Sequence, residues 1–293
     1  MASRNPEQPN LLFVLTDDQG AWAMGCAGNA EIRSPNLDRL AREGVRFDNF
    51  FCTSPVCSPA RASILTGRIP SQHGVHDFLH WQADAGAGGL DTPVPADKVQ
   101  FLAGMPTYAE MLGDAGYETC LSGKWHLGDG LQPRCGFQTW NPMPHGASEY
   151  FKAPVVENGE LVVHEGAYSS DLFTDNALKF LEGQAGIDRP FCLNVHFTAP
   201  HAPWGRRQHP QDIWDDYYNN CPFDSVPGHE EPLPMGLTAW PVDAEGRRRN
   251  LAGYFAAIEG MDRNVGRLLD WLDDKDLRSN TLVVFMSDNG MNM

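Results

Sequence analysis

Residues 11–18 read Leu-Leu-Phe-Val-Leu-Thr-Asp-Asp, and residues 281–290 read Thr-Leu-Val-Val-Phe-Met-Ser-Asp-Asn-Gly. Each is an unbroken apolar run that stops at acidic and amide side chains. Runs of this length without polar alternation suit strands buried on both faces, as in a parallel sheet. Asp17 and Asp18 therefore stand at the C-terminal end of one expected strand, and Asp288 and Asn289 at the end of another. A third run, Phe-Cys-Leu-Asn-Val-His-Phe at 191–197, leads into Thr198-Ala199-Pro200-His201, and residues 117–121 are a shorter strand candidate.

Helical patterns lie between these runs. Ser34-Pro35 reads as a cap followed by a first-turn proline, with Leu37, Leu40 and Ala41 on one face and Gly44 as the stop. Residues 45–51 then read as another extended segment. Tyr108, Met111 and Leu112 have helical spacing before Gly113 and Gly116. Leu251, Phe255, Ile258, Met261, Val265, Leu268 and Leu272 mark a long amphipathic helix. The alternation implies an α/β fold with a largely parallel central sheet flanked by helices, whose ligands sit at the strand ends. Residues 82–98 and 205–249 read as long irregular stretches, suited to lids or substrate walls. In the second, Trp214, Tyr217, Tyr218 and Trp240 fit either a sugar-facing wall or loop anchors. No repeat or linker divides the chain, so residues 1–293 read as one domain.

The composition is that of a globular protein, with 42% hydrophobic and 20% charged residues. A formal net charge of −16 argues against nucleic-acid binding. It leaves room for an anionic small substrate, because local cations and a metal can reverse the potential within a cleft. No stretch is apolar for long enough to cross a membrane. Residues 1–10 are polar and Asn-x-Ser/Thr sequons are absent, which leads to a cytoplasmic expectation. The seven cysteines are scattered without zinc-site spacing. Phosphate-loop and Gly-x-Ser-x-Gly patterns are missing too.

The most informative segment is Pro-Val-Cys-Ser-Pro-Ala-Arg-Ala-Ser-Ile-Leu-Thr-Gly at 55–67. Taken blindly it is a turn leading into a helix, with Cys57 as a core residue. Together with Gly-Tyr-Glu-Thr-Cys-Leu-Ser-Gly-Lys-Trp-His at 116–126, it resembles the two signatures of the formylglycine-dependent, arylsulfatase-like sulfatases. The resemblance runs from Asp17 to Asn289. It implies the fold shared by sulfatases and alkaline phosphatases, and oxidation of Cys57 to formylglycine by a formylglycine-generating enzyme. The hydrated aldehyde is a geminal diol. One oxygen can attack sulfur, and the other keeps a proton whose later removal releases sulfate.

Asp17-Asp18 or Asp288-Asn289 alone would read as turn residues. The resemblance implies that all four, with the group made from Cys57, hold one divalent cation. Such a hard oxygen set suits Ca²⁺ or Mg²⁺, with Ca²⁺ favoured. It further implies that Arg61 orients the nucleophile, that Lys124 binds sulfate oxygens and that His126 is the base of the release step. His201 would protonate the departing oxygen or bind sulfate beside it. His196 reads as a hydrogen-bonded core histidine and Asp262 as a packing or capping residue. His73 and His76 are weaker candidates for substrate contact.

The expected activity is metal-dependent hydrolysis of a small-molecule or carbohydrate sulfate ester, with aryl, alkyl and carbohydrate sulfates all open. A phosphonate monoester or phosphodiester hydrolase with the same nucleophile is the enzymatic alternative. A non-catalytic sulfatase-like binding protein is the other. The resemblance also leads to the expectation that the chain stops before a second active-site lysine and a small C-terminal subdomain.

Overall fold

The computed structural model describes residues 8–79, 99–227 and 243–291. Its strands are β1 (Asn10–Asp17), β2 (Glu118–Lys124), β3 (Thr139–Met143), β4 (Lys152–Glu157), β5 (Glu160–Glu165), β6 (Phe191–Pro200) and β7 (Thr281–Ser287). Its helices are α1 (Pro35–Glu43), α2 (Cys57–Thr66), α3 (Pro70–His73), α4 (Tyr108–Asp114), α5 (Ser169–Gln184), α6 (Gln211–Asn220) and α7 (Ala244–Asp274). Five strands form a wholly parallel sheet in the order β3-β2-β6-β1-β7. The expected α/β class holds, and the three long apolar runs are its neighbours β6, β1 and β7.

Alternation along the strands divides the core between the two faces of the sheet. Leu12, Val14, Leu193 and Val195 pack with α5 and α7 residues such as Phe173, Phe255 and Leu268. On the other face Phe13 meets Tyr108 of α4, with ring centroids 5.9 Å apart. There Leu121, Trp125 and Trp140 form a second cluster with Ala62 and Leu65 of α2. The helix α7 runs close to its neighbours because it carries glycines. A Cβ at Gly253 would stand 2.0 Å from the Trp204 carbonyl oxygen.

Several expectations need correction. Residues 45–51 form no strand, and Val45, Phe47, Phe50 and Phe51 are 68–82% exposed. Apolar side chains give that segment strand character, but among the described residues no ladder pairs with it. The stretch 205–249 is not irregular throughout, since it contains α6 and the start of α7. Trp214 and Tyr217 are core residues in α6, and the Trp214 indole donates to the Trp204 carbonyl at 3.0 Å. That is anchoring and not a sugar-facing wall. Trp240 and residues 82–98 lie outside the described residues.

The cap of α1 comes from elsewhere than expected. Ser34 does precede Pro35, but its side chain makes no cap bond. Asp262 of α7 does so instead: Oδ1 accepts from Leu37 N at 2.8 Å and Oδ2 from Asn36 N at 3.2 Å. Burial raises that carboxyl to about 6, even with these donors opposing it. Replacing Asp262 with Ala leaves two helix N–H groups unpartnered and should destabilise the protein by about 1–3 kcal/mol. Chemical denaturation measures this, and an unchanged midpoint would show that α1 needs no such cap.

Candidate active site

The strands β1 and β7 are parallel neighbours with Thr16 opposite Ser287, so both acidic pairs emerge side by side. Asp288 N donates to Thr16 O at 3.0 Å. Past β1 the backbone turns sharply, with Asp18 at φ +62°. Asp18 N then donates to Asp288 Oδ1 at 3.3 Å, and Gln19 N to Ser287 Oγ at 3.0 Å. As a result Asp17, Asp18 and Asp288 each present an oxygen within 4.8 Å of the others. Burial, followed by the charge of Asp17, raises the Asp288 carboxyl to about 6, and burial raises Asp18 as well.

The donor set fits a divalent cation. Asp17 Oδ1 and Asp288 Oδ2 are buried and accept no hydrogen bond. Arg61 Nη2 does lie 2.8 Å from Asp288 Oδ2, but off the hydrogen-bonding direction, so the contact is an ion pair only. The Asn289 amide nitrogen donates to Asp18 Oδ1 at 2.6 Å and its oxygen accepts from Cys57 N at 3.2 Å, which sets this residue between the acids and the Cys57 helix. A hard cation needs this kind of oxygen cluster.

The nucleophile candidate Cys57 is the first residue of α2, buried beside these carboxylates. Burial pushes its thiol up to about 11, although Lys124 opposes the shift. Arg61, one turn on, is 2% exposed and donates from Nη1 to the Lys124 carbonyl at 3.1 Å. Lys124 is fully buried at the end of β2, with its ammonium bonded to Asp17 Oδ2. Burial works against both cations. For Lys124 it is offset by Asp17 together with Cys57 and Asp288, for Arg61 by Asp288 and then Asp17 and Cys57, and both groups keep their charge. Two buried cations thus stand against three carboxylates, of which Asp17 and Asp288 are buried and Asp18 is partly exposed.

His126 has φ +57° and is nearly enclosed. Its Nε2 lies 3.0 Å from the Leu79 carbonyl, which can only accept, so Nε2 carries the hydrogen and Nδ1 the lone pair. That Nδ1 is buried without a partner. Burial, then Lys124 and Arg61, hold its pKa well below the ordinary imidazole value, so the ring is neutral. His201 follows β6. Its Nδ1 lies 2.7 Å from the Ala202 carbonyl and its Nε2 3.7 Å from Asp18 Oδ2.

The nine residues singled out in the sequence therefore share one site. His196 lies outside that set: its Nδ1 is 3.2 Å from the Lys124 carbonyl, and burial lowers its pKa to about 3. His73 takes the Val75 N–H at 3.1 Å and meets Ser63 Oγ at 2.9 Å, tying α3 to α2, while His76 is exposed. Sequence reasoning missed the groups that fix the site's backbone. Tyr150 donates its hydroxyl to the His201 carbonyl at 2.8 Å, and the Trp204 indole donates to the Pro200 carbonyl at 2.7 Å. Aromatic residues near a motif carry no signal that separates such clamps from ordinary core.

A family model described as Sulfatase matches residues 9–293. An N-acetylglucosamine-6-O-sulfatase of Bacteroides thetaiotaomicron is 28% identical, over 97% of this chain and 58% of its own length. An ulvan-active sulfatase of Formosa agariphila is 33% identical, over 97% of this chain and 51% of its own. A solved structure of a protein in complex with its substrate D-glucosamine-2-N,6-O-disulfate matches with a TM-score of 0.71 and 25% identity. It covers 97% of this chain and 66% of that one. The chain spans about half the length of the curated relatives it matches.

Protons compete for the raised carboxylates. Below about pH 6 Asp288 holds a proton that a cation must displace, and Asp18 is shifted in the same direction. Affinity for Ca²⁺ should therefore rise from pH 5 to pH 7 and level off above. Calorimetric titration at several pH values tests this, and a flat profile would mean that these carboxylates are not the ligands.

Proposed function

The chain belongs to the sulfatase family, and on that premise we propose that it hydrolyses sulfate monoesters with a formylglycine made from Cys57. One divalent cation would be held by Asp17, Asp18, Asp288 and Asn289. The observation that carries this reading is the convergence of Asp17, Asp18 and Asp288 oxygens within 4.8 Å of one another, beside the buried start of the Cys57 helix. An unmodified thiol raised to about 11 stays protonated at neutral pH and is a poor nucleophile, which favours conversion of Cys57. Maturation would need a formylglycine-generating enzyme.

When bound, the cation supplies positive charge that holds a sulfate oxygen and makes an anionic nucleophile cheaper to form. Formylglycine, as its hydrate, supplies a second hydroxyl through which sulfate can be released. Lys124 and Arg61 keep fixed positive charge beside the reacting group without the reorganisation that water would need. Lys124 would also contact sulfate oxygens. Neutral His126 can accept a proton at Nδ1, because its Nε2 hydrogen is held by Leu79. His201 is held through its Nδ1 hydrogen by the Ala202 carbonyl, and as the imidazolium it would donate from Nε2 to the departing oxygen, or bind sulfate there. Ca²⁺ is favoured over Mg²⁺, since Mg²⁺ prefers to keep several waters and this site offers four protein side-chain ligands.

Carbohydrate sulfates are the favoured substrate class. The two curated relatives are named for N-acetylglucosamine-6-O-sulfate and ulvan, and the solved structure holds a sulfated glucosamine.

Three measurements test the reading. Cys57→Ala should fold normally and lose sulfate ester turnover by on the order of 10³ or more. Turnover at the wild-type level would remove Cys57 from the mechanism. Mass spectrometry of protein from its native host should find the aldehyde at position 57, whereas a fully retained thiol favours a non-catalytic binding protein. With aryl sulfate and aryl phosphonate ester side by side, kcat/KM should be higher for the sulfate and collapse on chelation. A preference for the phosphonate would reassign the reaction.

A further inference from the structure

We propose that Tyr254 is a positioning residue for the cation site: its hydroxyl holds the backbone turn that aims Asp18. The inference rests on Asp18 being a cation ligand, as in the proposed function. Tyr254 lies within α7 and is fully buried. Its hydroxyl donates to the Asp18 carbonyl at 3.0 Å and accepts from the Gly20 N–H at 2.8 Å. One oxygen atom thus fastens both ends of the three-residue turn at 18–20.

That turn needs fastening. Continued extension of β1 would send the side chains of Asp17 and Asp18 to opposite faces of the sheet. The left-handed conformation at Asp18, φ +62°, breaks the alternation and lets both carboxylates converge within 4.8 Å. An L side chain rarely adopts this conformation unless its surroundings impose it. Two further fasteners of the turn, Asp288 Oδ1 on Asp18 N and Ser287 Oγ on Gln19 N, come from the end of β7, itself part of the site, and a third, Ala23 N on Gly20 O, is local to the chain that follows. Tyr254 supplies an anchor from a different element. Its ring is held edge-on by Trp204, with centroids 6.0 Å apart at 82°, and lies against Trp22 at 6.1 Å. The adjacent Gly253 packs against the Trp204 backbone, so the hydroxyl has a fixed place from which to act.

The hydroxyl and the ring can be tested apart. Tyr254→Phe keeps the aromatic packing and loses both hydrogen bonds, so the turn samples conformations in which Asp18 is not aimed. Apparent cation affinity falls in proportion to the competent fraction. Tyr217→Phe is the matched control. Its buried hydroxyl accepts from Arg33 N at 3.0 Å, and its ring stands edge-on to Phe255, away from the carboxylates. Ca²⁺ binding would be measured by calorimetry, and thermal melting without Ca²⁺, for wild type, Tyr254→Phe, Tyr217→Phe and Asp18→Ala.

Tyr254→Phe should bind Ca²⁺ about tenfold more weakly, and sulfate ester turnover should recover when Ca²⁺ is raised to saturation. Tyr217→Phe should lower the melting temperature and leave Ca²⁺ affinity at the wild-type value. Wild-type affinity in Tyr254→Phe, or an equal loss in Tyr217→Phe, would overturn the positioning role. If Asp18→Ala abolishes binding while Tyr254→Phe does not, only the role of Tyr254 falls. If wild type itself binds no Ca²⁺, the cation reading falls and the inference with it.

Discussion

Three carboxylates and two cations largely withdrawn from water are the constraint around which this molecule is built. Burying Asp18 and Asp288 beside other acids is unfavourable for both, as their raised carboxyls record. Arg61 and Lys124 are buried beside them, and the acids offset what burial takes from their charged forms. Each set makes the other tolerable. The two sides come from either side of the central strand β6. The acids lie at the ends of β1 and β7, while Lys124 ends β2 and Arg61 rides on α2.

Such a cluster needs a rigid surround, since a buried charge that drifts from its partner is strongly destabilising. Rigidity comes from large side chains that bond to backbone. Tyr150 and Trp204 hold the segment around His201, and Arg61 and His196 both meet the Lys124 carbonyl. Glycine provides the complementary device. At Gly123, φ is +104° and a Cβ would stand 2.0 Å from the His196 carbonyl oxygen, so β2 and β6 can approach there only without a side chain.

The strands β1, β2 and β6 were legible because buried parallel strands leave no polar alternation and stop abruptly at their functional residues. By contrast β7, expected to be buried on both faces, is only partly covered because it lies at the sheet edge. Elements outside that logic were harder to read. The strand β3 contains Pro142, which its place at the sheet edge tolerates. The β4–β5 hairpin turns on Asn158-Gly159, both with positive φ, and that dipeptide was a signal open to reading. Its apolar side chains did not alternate, since Val155 and Val156 are buried while Leu161, Val162 and Val163 face solvent. The periodic Phe173, Ala177, Phe180 and Leu181 of α5 were readable as well. Tyr254, by contrast, sits in an apolar stripe that signals only core. Its hydrogen bonds belong to the tertiary fold and have no local signature.

The bond between Asp18 and Asp288 joins residues 270 positions apart. During synthesis at about 5–20 residues per second, β1 waits on the order of tens of seconds before β7 exists to lie beside it. Over that interval Asp17 and Asp18 have no opposing acid, and Arg61 has only part of its counter-charge. The acidic cluster is therefore complete only once β7 has been made, and a nascent polypeptide carrying the other four strands of the sheet would still lack Asp288 and Asn289.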